Sequence, residues 1–246
     1  MENAMKGKRM LVVAAHPGDV LWRCSGAIAK HVKLGGAVDV IVLTYGTGGE
    51  ANELFKTGMT LEEVKKLRRE DLSRAGEILG VSRLEFWDMQ DYRLEITQEK
   101  IYKLAKFMRL NPPDLILTHH GTDYFNPDHG TVLSLVNVAL EAATGRGVFI
   151  QGGESVIRRA PIFCFEPHAS EINGFNPNLF VDITEVMDIK IAAMATFELK
   201  KGLAASYVDR AKYRAVNAGS FGRVGCRYAE AYQAVYPVAQ NGYFVY

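Results

Sequence analysis

Cysteine is scarce: Cys24, Cys164 and Cys226 are odd in number, widely spaced and form no Cys-x-x-Cys pair, so they read as ordinary reduced thiols, not a disulfide framework. Long hydrophobic runs are missing too. The longest, Met10 to Ala15, falls far short of the roughly 20 residues that span a bilayer, and no basic segment leading into an apolar one opens the chain. A soluble cytoplasmic protein without a membrane partner is the expectation. Nor does charge of either sign dominate, since 29 Lys+Arg against 28 Asp+Glu leave a net charge of +1. Such a balance provides no general field for nucleic acid, so any anion specificity must come from locally placed residues. Repeats, linkers and low-complexity segments are likewise absent. What remains is a chain of 246 residues, 48% apolar and 23% charged, for which a single domain over 1–246 is the simplest organisation.

Apolar, β-branched runs alternate with helical patterns. Arg9 to Ala15 reads as a strand that stops at His16-Pro17-Gly18-Asp19, and a helix follows from Val20 to about Leu34. Val38 to Thr44 repeats the strand signal and ends in Gly46-Thr47-Gly48-Gly49-Glu50. Thr60 and Glu63 form a capping box for a long helix closed at Gly80. Further strands are expected at Arg83 to Trp87, Asp114 to Thr118, Ile162 to Phe165 and Leu179 to Ile183. Helices are expected at about Gln98 to Leu110 and 130–143, and largely throughout 184–234 with a break near Gly219 to Gly225. Strands alternating with helices of ten or more residues imply right-handed crossovers. The expected fold is therefore α/β: a Rossmann-like, mainly parallel sheet flanked by helices, with a C-terminal helical elaboration. Ligands of such sheets collect at the carboxyl ends of the strands.

Two loops at that edge carry the chemistry. His16 and Asp19 place an imidazole and a carboxylate directly after the first strand, and Asn126-Pro127-Asp128-His129 reaches the same edge after a neighbouring strand. Two nitrogens, one carboxylate and open positions describe a catalytic divalent-metal site, although Asp19 equally suits capping the helix that follows. Zn²⁺, Fe²⁺, Co²⁺ and Mn²⁺ all suit that donor set. His119 and His120 adjoin the second loop, but neighbouring side chains at a strand end point in opposite directions, so only one of them can face the site. Gly46 to Gly49 lacks both the Gly-x-Gly-x-x-Gly spacing and the Lys-Ser/Thr of a phosphate loop, so a nucleotide site is not expected.

His16-Pro17-Gly18-Asp19 resembles the Ala-His-Pro-Asp-Asp motif of the LmbE/PIG-L zinc-dependent de-N-acetylases, and Asn126-Pro127-Asp128-His129 resembles their His-Pro-Asp-His motif. Arg68 twelve residues before Gly80, Thr118-His119-His120 and Val181-Asp182-Ile183-Thr184 also fit the family's pattern. The resemblance implies His16, Asp19 and His129 as ligands and zinc as the metal. It also implies a homo-oligomer, trimer or hexamer. Two departures stand out. Gly18 takes the place of the aspartate that serves those enzymes as general base, and Asn126 that of a histidine which stabilises the oxyanion. Asn can donate a hydrogen bond but cannot carry charge.

Losing a general base typically costs ~10²–10⁴ in rate, so this site is either inactive or does other chemistry. Glu50, in the glycine-rich loop beside the first strand, offers a substitute carboxylate, though it also suits a solvated loop or the cap of a helix from about Ala51. A divergent branch of the same family shares both departures, and it hydrates an unsaturated oxo-tricarboxylate of aromatic catabolism instead of cleaving an amide. The likeness to that branch rests on Val20-Leu21-Trp22-Arg23, Gly49-Glu50, Arg68-Arg69-Glu70, Phe165-Glu166-Pro167-His168, Tyr228-Ala229-Glu230 and Val235-Tyr236-Pro237. It implies a small-molecule carboxylate as partner, with Glu50 activating water. His168 is the candidate acid, because histidine holds a proton near neutral pH. Asp128 either orients a histidine or acts itself as acid or base, and both roles stay open here. Arg23, Arg68 and Arg210 are the candidate carboxylate ligands, since arginine's planar fork suits that group, yet each also fits a solvated helix position. The alternative is a de-N-acetylase of an amino sugar in which Glu50 replaces the missing base.

Overall fold

The computed structural model describes residues 4–92, 94–197 and 201–237. Its centre is a seven-stranded sheet in the order β3-β2-β1-β4-β5-β7-β6. The first five of these are β1 (Arg9–Ala14), β2 (Ala37–Thr44), β3 (Arg83–Met89), β4 (Leu115–His119) and β5 (Ile162–Phe165), all mutually parallel. β1 and β2 are apolar at nearly every position because both faces of the sheet are covered. Alternation sorts their side chains between two cores. Val12, Val40 and Val42 join one side, packed by α2 (Ser25–Lys33), α4 (Leu61–Leu79) and α7 (Met187–Met194). Leu11, Val13 and Ile41 join the other, packed by α5 (Gln98–Leu110) and α6 (Pro127–Thr144).

Local signals explain most boundaries. Thr60 accepts from the Glu63 amide while Glu63 reaches back to the Thr60 backbone, and Gly80 closes α4 at φ 73°, a left-handed conformation that costs glycine little. Asn126 caps α6 by accepting from the Asp128 amide, and Pro127 opens the helix where no donor is required. The second motif therefore lies on the cap and first turn of a helix. The first motif forms a short α1 (Pro17–Asp19) that runs into a π-helical turn, Val20–Cys24, before α2 begins. Glu50 precedes a small helix, α3 (Asn52–Lys56).

The C-terminal expectation needs correction. Residues 184–234 hold α7 and α8 (Lys201–Ser220), but β7 (Ala229–Ala234) is a strand, not helix, and it runs antiparallel between β5 and β6 (Leu179–Asp182). Its sequence, Ala-Glu-Ala-Tyr-Gln-Ala, has the propensity of a helix. Pairing on both edges and burial of Tyr232 override that preference. No helix among the described residues is long and apolar enough to cross a membrane.

Candidate metal centre

The chain turns from β1 towards β2 and β3 on one side and resumes at β4 on the other, so a crevice opens at the carboxyl ends of β1 and β4. His16 and Asp19 enter it after β1, and His129 enters from the first turn of α6. Donor atoms of these three buried residues lie within 4.8 Å of one another. His129 Nδ1 is 2.9 Å from Asp123 Oδ2, while His129 Nε2 is buried with no hydrogen-bond partner among the described residues. A ring nitrogen fixed as a donor to a carboxylate leaves the other as a free lone pair, which is the arrangement of a metal-bound histidine. The residues present thus fit a divalent cation.

The surrounding groups fix the ligands. Asp19 accepts from the His16 amide through Oδ2 (3.1 Å) and from Arg23 Nε through Oδ1 (2.9 Å), so it is both the capping group of α1 and a member of the donor set. Burial alone would raise its pKa, but the histidines packed around it, His129 foremost, hold it well below the usual carboxylate range. Asp128 Oδ2 lies 3.3 Å from His16 Nε2 and accepts from the Tyr92 amide at 2.8 Å. Of the adjacent histidines, only His119 faces the site. It accepts from the Ala15 amide at 2.9 Å and stacks on His129 at 3.9 Å, and burial with His129 beside it pushes its pKa well down, so the ring is neutral. His120 turns away to Phe175.

Glu50 fills the space above Gly18. Its Oε2 accepts from the Gly18 amide at 3.0 Å. A β-carbon at residue 18 would lie 2.9 Å from Glu50 Cδ, closer still to Oε1, and 2.6 Å from Trp22 Nε1. A side chain at 18 would therefore displace the Glu50 carboxylate from its present place and crowd Trp22. Burial, and then the negative Asp19, raise the Glu50 pKa above the ordinary range.

One cavity is lined by His16, Asp19, Arg23, Glu50, Asn126, His129 and His168. The remaining sequence candidates are placed differently. Asp128 stands behind His16. Arg68 sits behind Glu50, donating to its carbonyl at 3.1 Å and lying over the Phe197 ring. Arg210 donates to the Pro167 carbonyl and lines a separate, smaller cavity. Arg23 is on the cavity wall, but its guanidinium also holds Asp19 and the Glu166 carbonyl. Asp123, which the sequence reading did not single out, joins His129 to His168, whose amide and Nδ1 lie 3.1 and 3.0 Å from its Oδ2. Its signal was available, because a ligand histidine needs an acceptor for its other nitrogen and Asp123 lies six residues before His129. Tyr92, Trp22, Tyr207 and Phe197 also line the walls; apart from Trp22, which falls in Val20-Leu21-Trp22-Arg23, nothing in their local sequence marks them.

Residues 11–140 match the family described as PIG-L: GlcNAc-PI de-N-acetylase. The chain belongs to the PIG-L family. Within it, the chain is 37% identical to a 4-oxalmesaconate hydratase of Pseudomonas putida over 240 residues, covering 95% of this chain and 92% of that protein. It is 28% identical to the diacetylchitobiose deacetylase of Thermococcus kodakarensis, over 78% of this chain and 69% of that one. Among solved structures, GalB, the 4-carboxy-2-hydroxymuconate hydratase of Pseudomonas putida KT2440, superposes with a TM-score of 0.90 at 35% identity, covering 96% of this chain and all of that one (100%). A hydratase and a deacetylase are thus both among the proteins that this chain resembles.

Proposed function

We propose that this chain is a metal-dependent hydro-lyase that adds water to the C=C bond of an unsaturated oxo-tricarboxylate, 4-oxalomesaconate, giving 4-carboxy-4-hydroxy-2-oxoadipate. The observation that carries the reading is the Glu50 carboxylate lodged where a side chain at Gly18 would have to stand. Likeness to a hydratase along nearly the whole chain supports it. His16, Asp19 and His129 would hold the cation, Zn²⁺ in this reading. Bound there, it would supply Lewis-acid stabilisation of the negative charge that develops on the substrate as water adds.

Glu50 takes a proton from water as the oxygen adds to the carbon bearing the substituent carboxylate. The π electrons of that bond pass into the conjugated enolate. His168 returns a proton to the enolate carbon, and Asp123 fixes the imidazole that does so. The raised pKa of Glu50 makes its carboxylate a better proton acceptor than an ordinary one. Asn126 uses its side-chain carbonyl to cap α6, which leaves its amide hydrogens to the substrate. Asp128 keeps His16 in place. Arg23 faces a substrate carboxylate from the cavity wall, whereas Arg68 acts through Glu50 and Arg210 from beyond the cavity.

The test is loss of the conjugated ultraviolet band of freshly generated 4-oxalomesaconate with zinc-loaded protein. Wild type should consume it, and Glu50→Ala should be slower by ~10²–10⁴. An unchanged band with wild type overturns the reading, and equal rates in both proteins remove Glu50 as the base. Acetate release from N-acetyl sugars should stay at background, because Gly18 offers no base in the deacetylase position.

A further inference from the structure

Tyr92 is one of three non-glycine residues with positive φ among those described, at 59°, and the only one of the three that lines the metal-site cavity. A residue with a β-carbon holds that conformation only where its surroundings over-determine it. Here they do so from two sides. The Tyr92 amide donates to Asp128 Oδ2, the oxygen that also faces His16. The ring lies flat against the glycine loop: a β-carbon at Gly48 would come within 3.0 Å of two ring carbons, and one at Gly49 would collide with the phenol oxygen while clearing Cζ at 3.5 Å. The preceding Asp91 grips the same loop by accepting from the Gly48 amide at 2.6 Å. Gly48 and Gly49 thus leave room for a phenol immediately before Glu50.

The hydroxyl so placed has no protein partner among the described residues, and the side chain belongs to a residue that is 50% exposed. The other polar groups of the cavity are largely occupied. Arg23 is tied to Asp19 and Glu166, Glu50 to Gly18, and His168 to Asp123. A substrate with three carboxylates needs donors beyond the metal ligands, and a free phenol held beside Gly49 at the cavity wall supplies one.

We propose that Tyr92 is a substrate-binding residue whose hydroxyl donates a hydrogen bond to a carboxylate of the bound tricarboxylate. The inference rests on the hydratase reading for its substrate class. Tyr92→Phe keeps the ring, the packing and the backbone and removes only the donor. It should raise KM for 4-oxalomesaconate about tenfold with kcat within about twofold, the pattern of a contact equal in ground and transition states. Gly49→Ala puts a β-carbon against the phenol oxygen and pushes the whole side chain from its place, so it should raise KM similarly. The double variant should be no worse than either single one, because both remove the same contact. An unchanged KM in Tyr92→Phe, or KM effects that multiply in the double variant, overturns the proposal while leaving the hydratase reading intact. If wild type shows no turnover, the hydratase reading fails first. Calorimetric binding of tricarballylate to the zinc-loaded proteins then decides: weaker binding by Tyr92→Phe supports the role, and equal affinity or no binding by wild type overturns it.

Discussion

Arg68 illustrates how one side chain can govern a reaction it does not touch. Burial, with Asp19, raises the Glu50 pKa; Arg68, whose Nη2 donates to the Glu50 carbonyl, pulls against that rise with its positive charge. Arg68→Gln removes that pull, so the Glu50 pKa should rise further. A base must be ionised to work, so turnover fails as pH falls through the Glu50 pKa, and the acid limb of kcat/KM should move to higher pH in the variant. A purely structural loss would scale the whole profile and leave the limb where it was. The same residue marks where the sequence is informative. His16, Asp19, His129 and Glu50 were legible because the short motifs holding them follow recognisable strands or open a helix. Arg68 and Arg210 were expected at the substrate, since a guanidinium's partner depends on where a whole helix docks. Asp123 and Tyr92 sit on loops whose paths are set only once the sheet has formed.

At the scale of elements, β7 and α2 depend on each other. Cys24, at the start of α2, makes no side-chain cap, and the orphan amides of Gly26 and Ala27 are instead satisfied by Glu230 of β7 at 2.9 and 2.8 Å. The same carboxylate receives Lys190 Nζ of α7 at 2.6 Å and the Tyr232 hydroxyl at 2.6 Å. Three elements are thereby locked around one buried charge beneath the π-helical turn that carries Arg23. Glu230→Gln should cost about 3–5 kcal/mol, because it leaves the buried Lys190 ammonium without its counter-charge. Adding Lys190→Met should recover much of that loss, and denaturant unfolding of the single and double variants checks both. This arrangement is also why the last strand was unreadable. A helix-forming hexapeptide becomes a strand through partners far away in sequence, whereas β1, β2 and α4 carry their own periodicity and caps.

Across the whole molecule the donor set bridges the switch point of the sheet. His16 and Asp19 belong to the half that continues into β2 and β3, and His129 to the half that resumes at β4. A cation bound by all three links the halves in the folded chain and finds no such site in the unfolded one, so binding free energy adds to stability. At metal one hundred times above its Kd the gain is about 2.7 kcal/mol, which for a chain of this size corresponds to roughly 5–10 °C in Tm. Chelation of the zinc-loaded protein should therefore lower Tm by about that amount, and readdition should restore it. In His129→Ala the shift should largely vanish, since the ligand that ties in the second half is gone. The shift should also shrink as pH falls, because protons compete with the metal for the imidazoles and the carboxylate. A wild-type Tm indifferent to chelation would mean that the orphaned nitrogen of His129 faces no metal, and the Lewis-acid part of the proposed hydration would fall with it.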